Sequence, residues 1–243
     1  MLQIYRIPTD YLSANCYIIE SEAHERALVV DPGLGATRKV QATLERLGKR
    51  VGAVLLTHGH ADHIWEAARV ADLPGPDGSS SGAPIYLPGP DHYWLADPVG
   101  QLQSAGLDAL GVQWERPELV GEIPVGGWQI LPGIALQMVP APGHSPGSAI
   151  YVFADSAQME NQNIEAFALS GDVIFAGSVG RTDLPGGDEE EMRESLRTLA
   201  YALNPATVLL PGHGPETTWH RELDTNPYVQ RAIREDRSKR VFD

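Results

Sequence analysis

The sequence predicts a mixed α/β chain built of two strand-rich halves, and three observations point there. Short apolar runs bounded by Gly, Pro, Asn or Asp alternate with single segments of helical spacing. The run Val54-Leu55-Leu56-Thr57-His58 is echoed by Val208-Leu209-Leu210-Pro211-Gly212-His213, so each half holds an apolar strand that ends in a histidine-bearing loop. Polar residues of one chemical kind, histidine and aspartate, recur at these strand ends rather than within them. The expected organisation is one domain over residues 1–243, with two related αβ halves.

The elements follow in order. Leu2 to Ile7 reads as a strand stopped by Pro8, with further strands at Cys16–Glu20 and Ala27–Val30 before the turn Asp31-Pro32-Gly33. Gly35–Leu47 has helical spacing at Val40, Leu44 and Leu47 and ends at Gly48. Val51–Leu56 is a buried strand, and Asp62–Ala71 reads as one helix with Ile64, Trp65 and Ala68 at turn spacing. Residues 72–83 form a Gly/Ser/Pro loop expected to be mobile, with its bearing on any cleft left open. Ile85–Leu87 is a strand, and Gly100–Leu110 is expected to be helical. Gly127–Leu131 and Ile134–Val139 read as a hairpin around Pro132-Gly133. Ser148–Phe153 and Ala166–Leu169 are strands joined by a polar insertion, and Gly177–Gly187 is loop. Asp188–Ala202 is a helix with acidic residues in its first turn, Thr207–Leu210 a strand, and Asn226-Pro227 opens a final helix ending in a solvated basic tail.

Bulk properties narrow the function. With 243 residues and 42% hydrophobic content a sizeable core can be buried. A formal net charge of −14 argues against a nucleic-acid partner or an acidic membrane, because phosphate neutralisation and polybasic anchoring both need an excess of cations. The single cysteine, Cys16, excludes an intrachain disulfide and sits within a strand as a small core residue. The chain shows neither a leader pattern nor an apolar run near the ~18 residues of a membrane span. The expectation is a cytoplasmic protein.

The chemistry concentrates in Thr57-His58-Gly59-His60-Ala61-Asp62-His63. Imidazole suits zinc and iron, and a carboxylate adds negative charge to balance a cation. Alternation puts His58 and His60 on one side of an extended loop, while the adjacent side chains of Asp62 and His63 diverge. One pair could serve one metal and the second pair another. His144, Asp172 and His213 lie at three further strand ends, each next to glycine. Strands lying side by side would bring these ends to one rim.

The set His58-x-His60-x-Asp62-His63, with His144, Asp172 and His213, resembles the metallo-β-lactamase fold superfamily. That resemblance implies a four-layer αβ/βα sandwich with a dinuclear site at one edge of two sheets. It implies His58, His60 and His144 on a first metal, Asp62, His63 and His213 on a second, and Asp172 bridging. With aspartate rather than cysteine at the bridging position, the chain is unlike the β-lactamases proper and similar to hydrolases of the glyoxalase II type. Histidine at position 60 sets it apart from the diiron flavoproteins, which place an acid there. The stretches Gly171-Asp172-Val173-Ile174-Phe175, Gly180-Arg181-Thr182-Asp183-Leu184-Pro185-Gly186-Gly187-Asp188 and Pro211-Gly212-His213-Gly214-Pro215-Glu216-Thr217-Thr218 are similar to compact bacterial hydroxyacylglutathione hydrolase-like proteins. Gly180-Arg181-Thr182-Asp183 is also similar to persulfide dioxygenases. The larger glyoxalase II enzymes add a C-terminal helical domain that holds glutathione; none is expected here.

The resemblance implies hydrolysis of a small-molecule thioester such as S-D-lactoylglutathione, with two divalent metal ions as cofactors: zinc, with iron or manganese as alternatives. Asp62 would orient a bridging hydroxide, and no serine or cysteine nucleophile is required. Asp31, Thr57 and Ser145 are candidates to hold ligand imidazoles from behind, and Arg181 to hold a substrate carboxylate. The alternatives are an iron persulfide dioxygenase keeping only His58, His144 and Asp172 on the metal, another metallo-hydrolase of unknown ester substrate, and a non-enzymatic scaffold. The oligomeric state is left open.

Overall fold

The computed structural model of the chain describes residues 1–98, 113–124 and 126–240, with the side chains of residues 236–240 left out of the description. The helix expected at 100–110 lies outside these residues. In chain order the first half holds β1 (Leu2–Pro8), β2 (Asn15–Ser21), β3 (Arg26–Val30), α1 (Ala36–Leu47), β4 (Arg50–Leu55), α2 (Ala61–Ile64), α3 (Ala67–Ala71), β5 (Ile85–Tyr86), a short 3₁₀ helix (Gly89–Leu95) and β6 (Val120–Gly121). The second half holds β7 (Gly126–Leu131), β8 (Ile134–Pro140), β9 (Ala149–Phe153), β10 (Ala157–Met159), β11 (Gln162–Ile164), β12 (Phe167–Gly171), β13 (Ile174–Phe175), β14 (Ser178–Val179), α4 (Glu189–Ala202), β15 (Val208–Pro211), β16 (Thr217–Thr218), α5 (Trp219–Thr225) and α6 (Pro227–Arg240).

Two large sheets face each other. One has the order β11-β10-β1-β2-β3-β4-β5-β6 and the other β16-β15-β12-β9-β8-β7. Strand alternation explains how both faces of each sheet are buried. In β2, Tyr17 and Ile19 join Leu28, Val30, Ala53 and Leu55 in the core between the sheets, against Leu136, Tyr151, Phe153, Phe167 and Leu169 of the other sheet. The alternate residues Cys16, Ile18, Val29 and Val54 face outward onto Val40 and Leu44 of α1 and Val70 of α3. On the far side Ile150, Ala168 and Leu209 pack under Met192, Leu196 and Leu199 of α4 and Val229 and Ala232 of α6. The result is four layers: helices, sheet, sheet, helices. The thiol of Cys16 is fully buried, and burial pushes its pKa well up.

The structure differs from the sequence reading in four places, each with a physical reason. The segment expected as one helix over Asp62–Ala71 breaks at Trp65-Glu66. There the Glu66 amide donates to the Pro32 carbonyl, and the Glu66 carboxylate accepts from the Thr37 amide and hydroxyl, capping α1 from outside. The polar insertion after β9 is a hairpin, β10–β11, turned by Glu160 and Asn161 at positive φ of 48° and 67°. It leaves its own half and pairs β10 in parallel with β1. Helix α5 precedes Asn226, capped by the Thr218 hydroxyl. The segment expected as loop from Gly177 opens with β14, paired with β13. The 72–83 loop, expected to be mobile, meets the start of β4, where Arg50 donates to Asp77 at 2.9 Å. His58 follows the opposite end of that strand, so the loop does not cover it.

Tyr17 ties the two halves together, its hydroxyl donating to the Pro211 carbonyl at 2.8 Å in a buried setting. Tyr17→Phe should destabilise the metal-free protein by about 1 kcal/mol and lower its Tm by roughly 2–4 °C, read by thermal unfolding. An unchanged Tm would show that Asn15, whose side-chain amide also donates to that carbonyl, carries the tie alone.

Candidate metal centre

Four segments deliver the polar side chains, each at the mouth of a strand or just before one. β4 runs into the loop carrying His58 and His60, and α2 starts directly after His60 and presents Asp62 and His63. His144 lies in the turn between β8 and β9, Asp172 follows β12, and His213 follows β15. β12 and β15 are parallel, so their C-terminal ends lie side by side. Close approach there requires glycine at position 212, because a Cβ would stand 2.1 Å from Asp172 Oδ1 and 2.7 Å from His63 Cε1.

The seven side chains meet in three overlapping groups with donor atoms within 4.8 Å of one another: His58, His60 and His144; His58, His63 and Asp172; and Asp62, His63 and His213. His60 Nδ1 lies 2.8 Å from His144 Nε2, and His213 Nε2 lies 3.3 Å from His63 Nε2 and 3.2 Å from Asp62 Oδ2. Asp172 reaches across the whole set: one oxygen is 3.4 Å from His63 Nε2, and the other 3.6 Å from His144 Nε2 and 3.5 Å from His213 Nε2. All but His213 are buried.

The outward ring nitrogens fix the orientation of four imidazoles. His144 Nδ1 donates to the Arg181 carbonyl at 2.8 Å, and His213 Nδ1 to the Leu12 carbonyl at 3.2 Å. His63 Nδ1 donates to Asp31 Oδ2 at 3.0 Å. Thr57 gives its hydroxyl proton to the same Asp31 oxygen at 2.7 Å and accepts from His58 Nδ1 at 3.0 Å. A ring protonated on its outer nitrogen keeps a lone pair on the inner one, the form a metal requires.

These residues fit divalent cations on two counts. First, His58 Nε2 and Asp172 Oδ1 are buried without a hydrogen-bond partner, although such atoms are normally satisfied. Second, the donor set of imidazoles and carboxylates is that of zinc, iron or manganese. The electrostatics agree. Burial and the neighbouring imidazoles push His58 well down, and burial with His144 brings His60 to about 3, so both rings are neutral at pH 7. Burial also opposes the charged form of His63, yet Asp172, Asp62 and Asp31 raise it to about 10. Burial opposes ionisation of Asp62, but His63 and His213 hold it below the usual carboxylate range.

Two sequence candidates have other contacts. Ser145 touches no imidazole; its hydroxyl donates to Asp91 Oδ2 at 2.7 Å, because the turn that aims His144 inward aims Ser145 away. The Arg181 guanidinium is closed onto Asp183 by two bonds of 2.6 Å, and its carbonyl rather than its side chain serves the centre. Asp91 was missed. Fully buried in the 3₁₀ helix, it accepts from the amides of Gly59 and Gly147 at 2.8 and 2.6 Å as well as from Ser145, clamping the His58–His60 loop to the His144 turn. Trp94 of the same helix stands edge-on to His60 with centroids 4.8 Å apart. The sequence offers only Gly-Pro-Asp as a turn signal here.

A cleft of about 450 Å³ opens above the donors, with Tyr11, Leu12, Phe175 and Leu184 among its walls.

Two outcomes are expected. His63 carries a proton in the metal-free protein that an entering cation must expel, so apparent metal affinity should weaken by up to about tenfold for each unit of pH lost between pH 8 and 6. Competition with a chromophoric chelator reads this; affinity indifferent to pH would contradict it. Asp91→Ala strands the Gly59 and Gly147 amides and should cost about 3 kcal/mol in urea unfolding, whereas a change under 1 kcal/mol would remove the clamp from consideration.

Comparison with known proteins places this geometry. Residues 9–213 match the family model described as the metallo-beta-lactamase superfamily. The chain is 30% identical to the hydroxyacylglutathione hydrolase GloC of Haemophilus influenzae, over 94% of this chain and 98% of that protein. Among solved structures it is similar to the BLEG-1 B3 metallo-beta-lactamase, with TM-score 0.74, 30% identity and coverage of 93% and 99% of the two chains. It is also similar to TTHA1623 in a di-iron-bound form, with TM-score 0.70, 30% identity and coverage of 92% and 99%. Sequence, sheet order and structural neighbours agree that the chain belongs to the metallo-beta-lactamase superfamily.

Proposed function

We propose that the protein is a metal-dependent hydrolase of a small-molecule thioester, with S-D-lactoylglutathione as the leading candidate. The observation that carries this reading is the presence of two separate three-donor groups joined by one shared carboxylate on a buried floor. His58, His60 and His144 would hold one cation, Asp62, His63 and His213 a second, and Asp172 would reach both. When bound, such a pair lowers the pKa of a shared water and polarises a carbonyl. Zinc is the first choice, and the likeness to a di-iron protein supports iron as an alternative, alongside manganese.

The residues of the chain divide the remaining work. Asp62 is ionised and stands at the floor of the cleft, where it accepts a hydrogen bond from the attacking water and orients it. Asp31, through His63 and Thr57, and the Arg181 carbonyl, through His144, prevent the rings from turning. Among the described residues lining the cleft there is no serine, threonine or cysteine, which supports a water nucleophile. A thiolate leaves without strong acid assistance, which suits a substrate of this class. The net charge of −14 supports a small substrate over a nucleic acid or membrane surface, and the single cysteine supports a cytoplasmic setting. Among the described residues no helix is long and apolar enough to cross a membrane.

The stretch Gly180-Arg181-Thr182-Asp183 supports a second reading, iron-dependent oxidation of a persulfide. The group formed by Asp62, His63 and His213 weighs against it, since a single iron would leave those donors unused.

Zinc-loaded protein should release thiol from S-D-lactoylglutathione, and His58→Ala, which removes a donor from two of the three groups, should lose at least about a hundredfold in kcat/KM. No turnover above the variant would reject this substrate. Oxygen uptake by iron-loaded protein with glutathione persulfide would move the assignment to the second reading.

A further inference from the structure

The floor of the cleft belongs to the donors, but its walls raise a separate question of what they recognise. Tyr11 and Leu12 come from the segment between β1 and β2, and Phe175 and Leu184 from the segment after β12. Leu12 is 62% exposed and lies beside a buried polar cluster. It adopts a φ of 51° and is followed by Ser13 at 54°. Two successive left-handed residues that bear side chains are costly to maintain and persist where the surroundings fix them. Here the Thr9 amide donates to the Ala14 carbonyl at 2.8 Å, the Thr9 hydroxyl to the Tyr11 carbonyl at 3.1 Å, and the Asp10 amide to the Leu34 carbonyl at 2.9 Å. His213 Nδ1 completes the set by donating to the Leu12 carbonyl. The turn that aims this carbonyl at His213 leaves the leucine side chain uncovered along the cleft. On the other segment, Phe175 stands edge-on to His213 with centroids 6.1 Å apart.

Charge points the same way. Among the described residues lining the cleft, Arg181 is the one lysine or arginine, and Asp183 already occupies its guanidinium. Residues 99–112 contain no lysine, arginine or histidine. Asp62 and Asp172 add negative charge to the floor. Among the described residues of these walls, a substrate anchored through carboxylates would find no unpaired fixed cation, whereas an alkyl or aryl group would cover apolar surface now facing water.

We infer that Tyr11, Leu12, Phe175 and Leu184 form a subsite for an uncharged apolar acyl chain, with Leu12 as a specificity-determining residue. The inference rests on the thioesterase part of the reading above and departs from its leading candidate, whose lactoyl group and thiol are polar: it moves the substrate class to apolar acyl thioesters.

The test compares acetyl, butyryl, hexanoyl and succinyl thioesters of N-acetylcysteamine on the zinc-loaded protein. kcat/KM should rise roughly threefold to fourfold per added methylene, and the succinyl compound should fall about tenfold or more below butyryl. In Leu12→Asn, which tolerates the left-handed turn, the hexanoyl-to-acetyl ratio should drop about tenfold, and Leu12→Met should restore it. A flat series, a preference for succinyl, or an unchanged ratio in Leu12→Asn overturns the subsite. Linear alkyl hydroxamates from acetyl to hexanoyl, titrated calorimetrically, repeat the series without hydrolysis. Affinity that climbs with chain length in a protein that cleaves no thioester keeps the subsite and overturns the hydrolytic reading. Affinity indifferent to chain length overturns the subsite whatever the hydrolysis shows.

Discussion

Asp31 is the constraint on which the rest of the centre depends. Its backbone sits at a positive φ of 48°, a conformation that aspartate tolerates better than most residues. Its buried carboxylate accepts from the Thr57 amide, the Thr57 hydroxyl and His63 Nδ1, and its amide donates to the Leu55 carbonyl. One side chain therefore registers the end of β3 against the end of β4 and sets two imidazoles, His63 directly and His58 through Thr57. The following turn is equally restricted: a Cβ at Gly33 would lie 1.8 Å from the Asp62 carbonyl oxygen. The helix that carries Asp62 and His63 can thus approach only because that position is glycine. A misplaced Asp31 would shift donors belonging to all three groups.

The same design concentrates unfavourable terms. Burying four imidazoles and two carboxylates in one floor, with His213 half-buried beside them, carries desolvation costs that hydrogen bonds among them meet only in part, as His58 Nε2 and Asp172 Oδ1, which lack a hydrogen-bond partner, show. The remaining framework answers with neutral packing. Tyr151 donates to the Leu56 carbonyl beneath the histidine loop, and Asn15 donates to the carbonyls on either side of His213. The ligand loops are thus fixed from behind by neutral hydrogen bonds within the core.

How much of this was legible in the sequence depends on the range of each interaction. The long strands and α1 were readable because their apolar periodicity is local, and the seven polar residues stood out because glycine and proline mark the strand ends that bear them. The structure gathers those seven into one cluster. What could not be read is set by partners distant in the chain. Asp91 looks like a turn residue until Gly59 and Gly147 are seen donating to it. The 155–165 stretch is polar because β10 and β11 lie at the rim of a sheet, where one face and one edge meet water. Glu66 fits the helical pattern, yet its carboxylate is taken by Thr37. Ser145 and Arg181 lie where they were sought, but their side chains turn to other acids.

The β10–β11 hairpin has a consequence for how the chain is made. β1, which precedes β10 by about 150 residues, receives one of its two neighbours from Ala157–Met159, and the Asn15 amide beside it donates to Gly212. As the chain leaves the ribosome, the N-terminal sheet gains β2 within moments, but its open edge must wait until most of the polypeptide has emerged. Pairings so distant in sequence are slow to form, and an uncovered strand edge is a template for foreign strands in the interval. The hairpin, once it arrives, covers β1 and moves the edge of the sheet out to the short, polar strand β11.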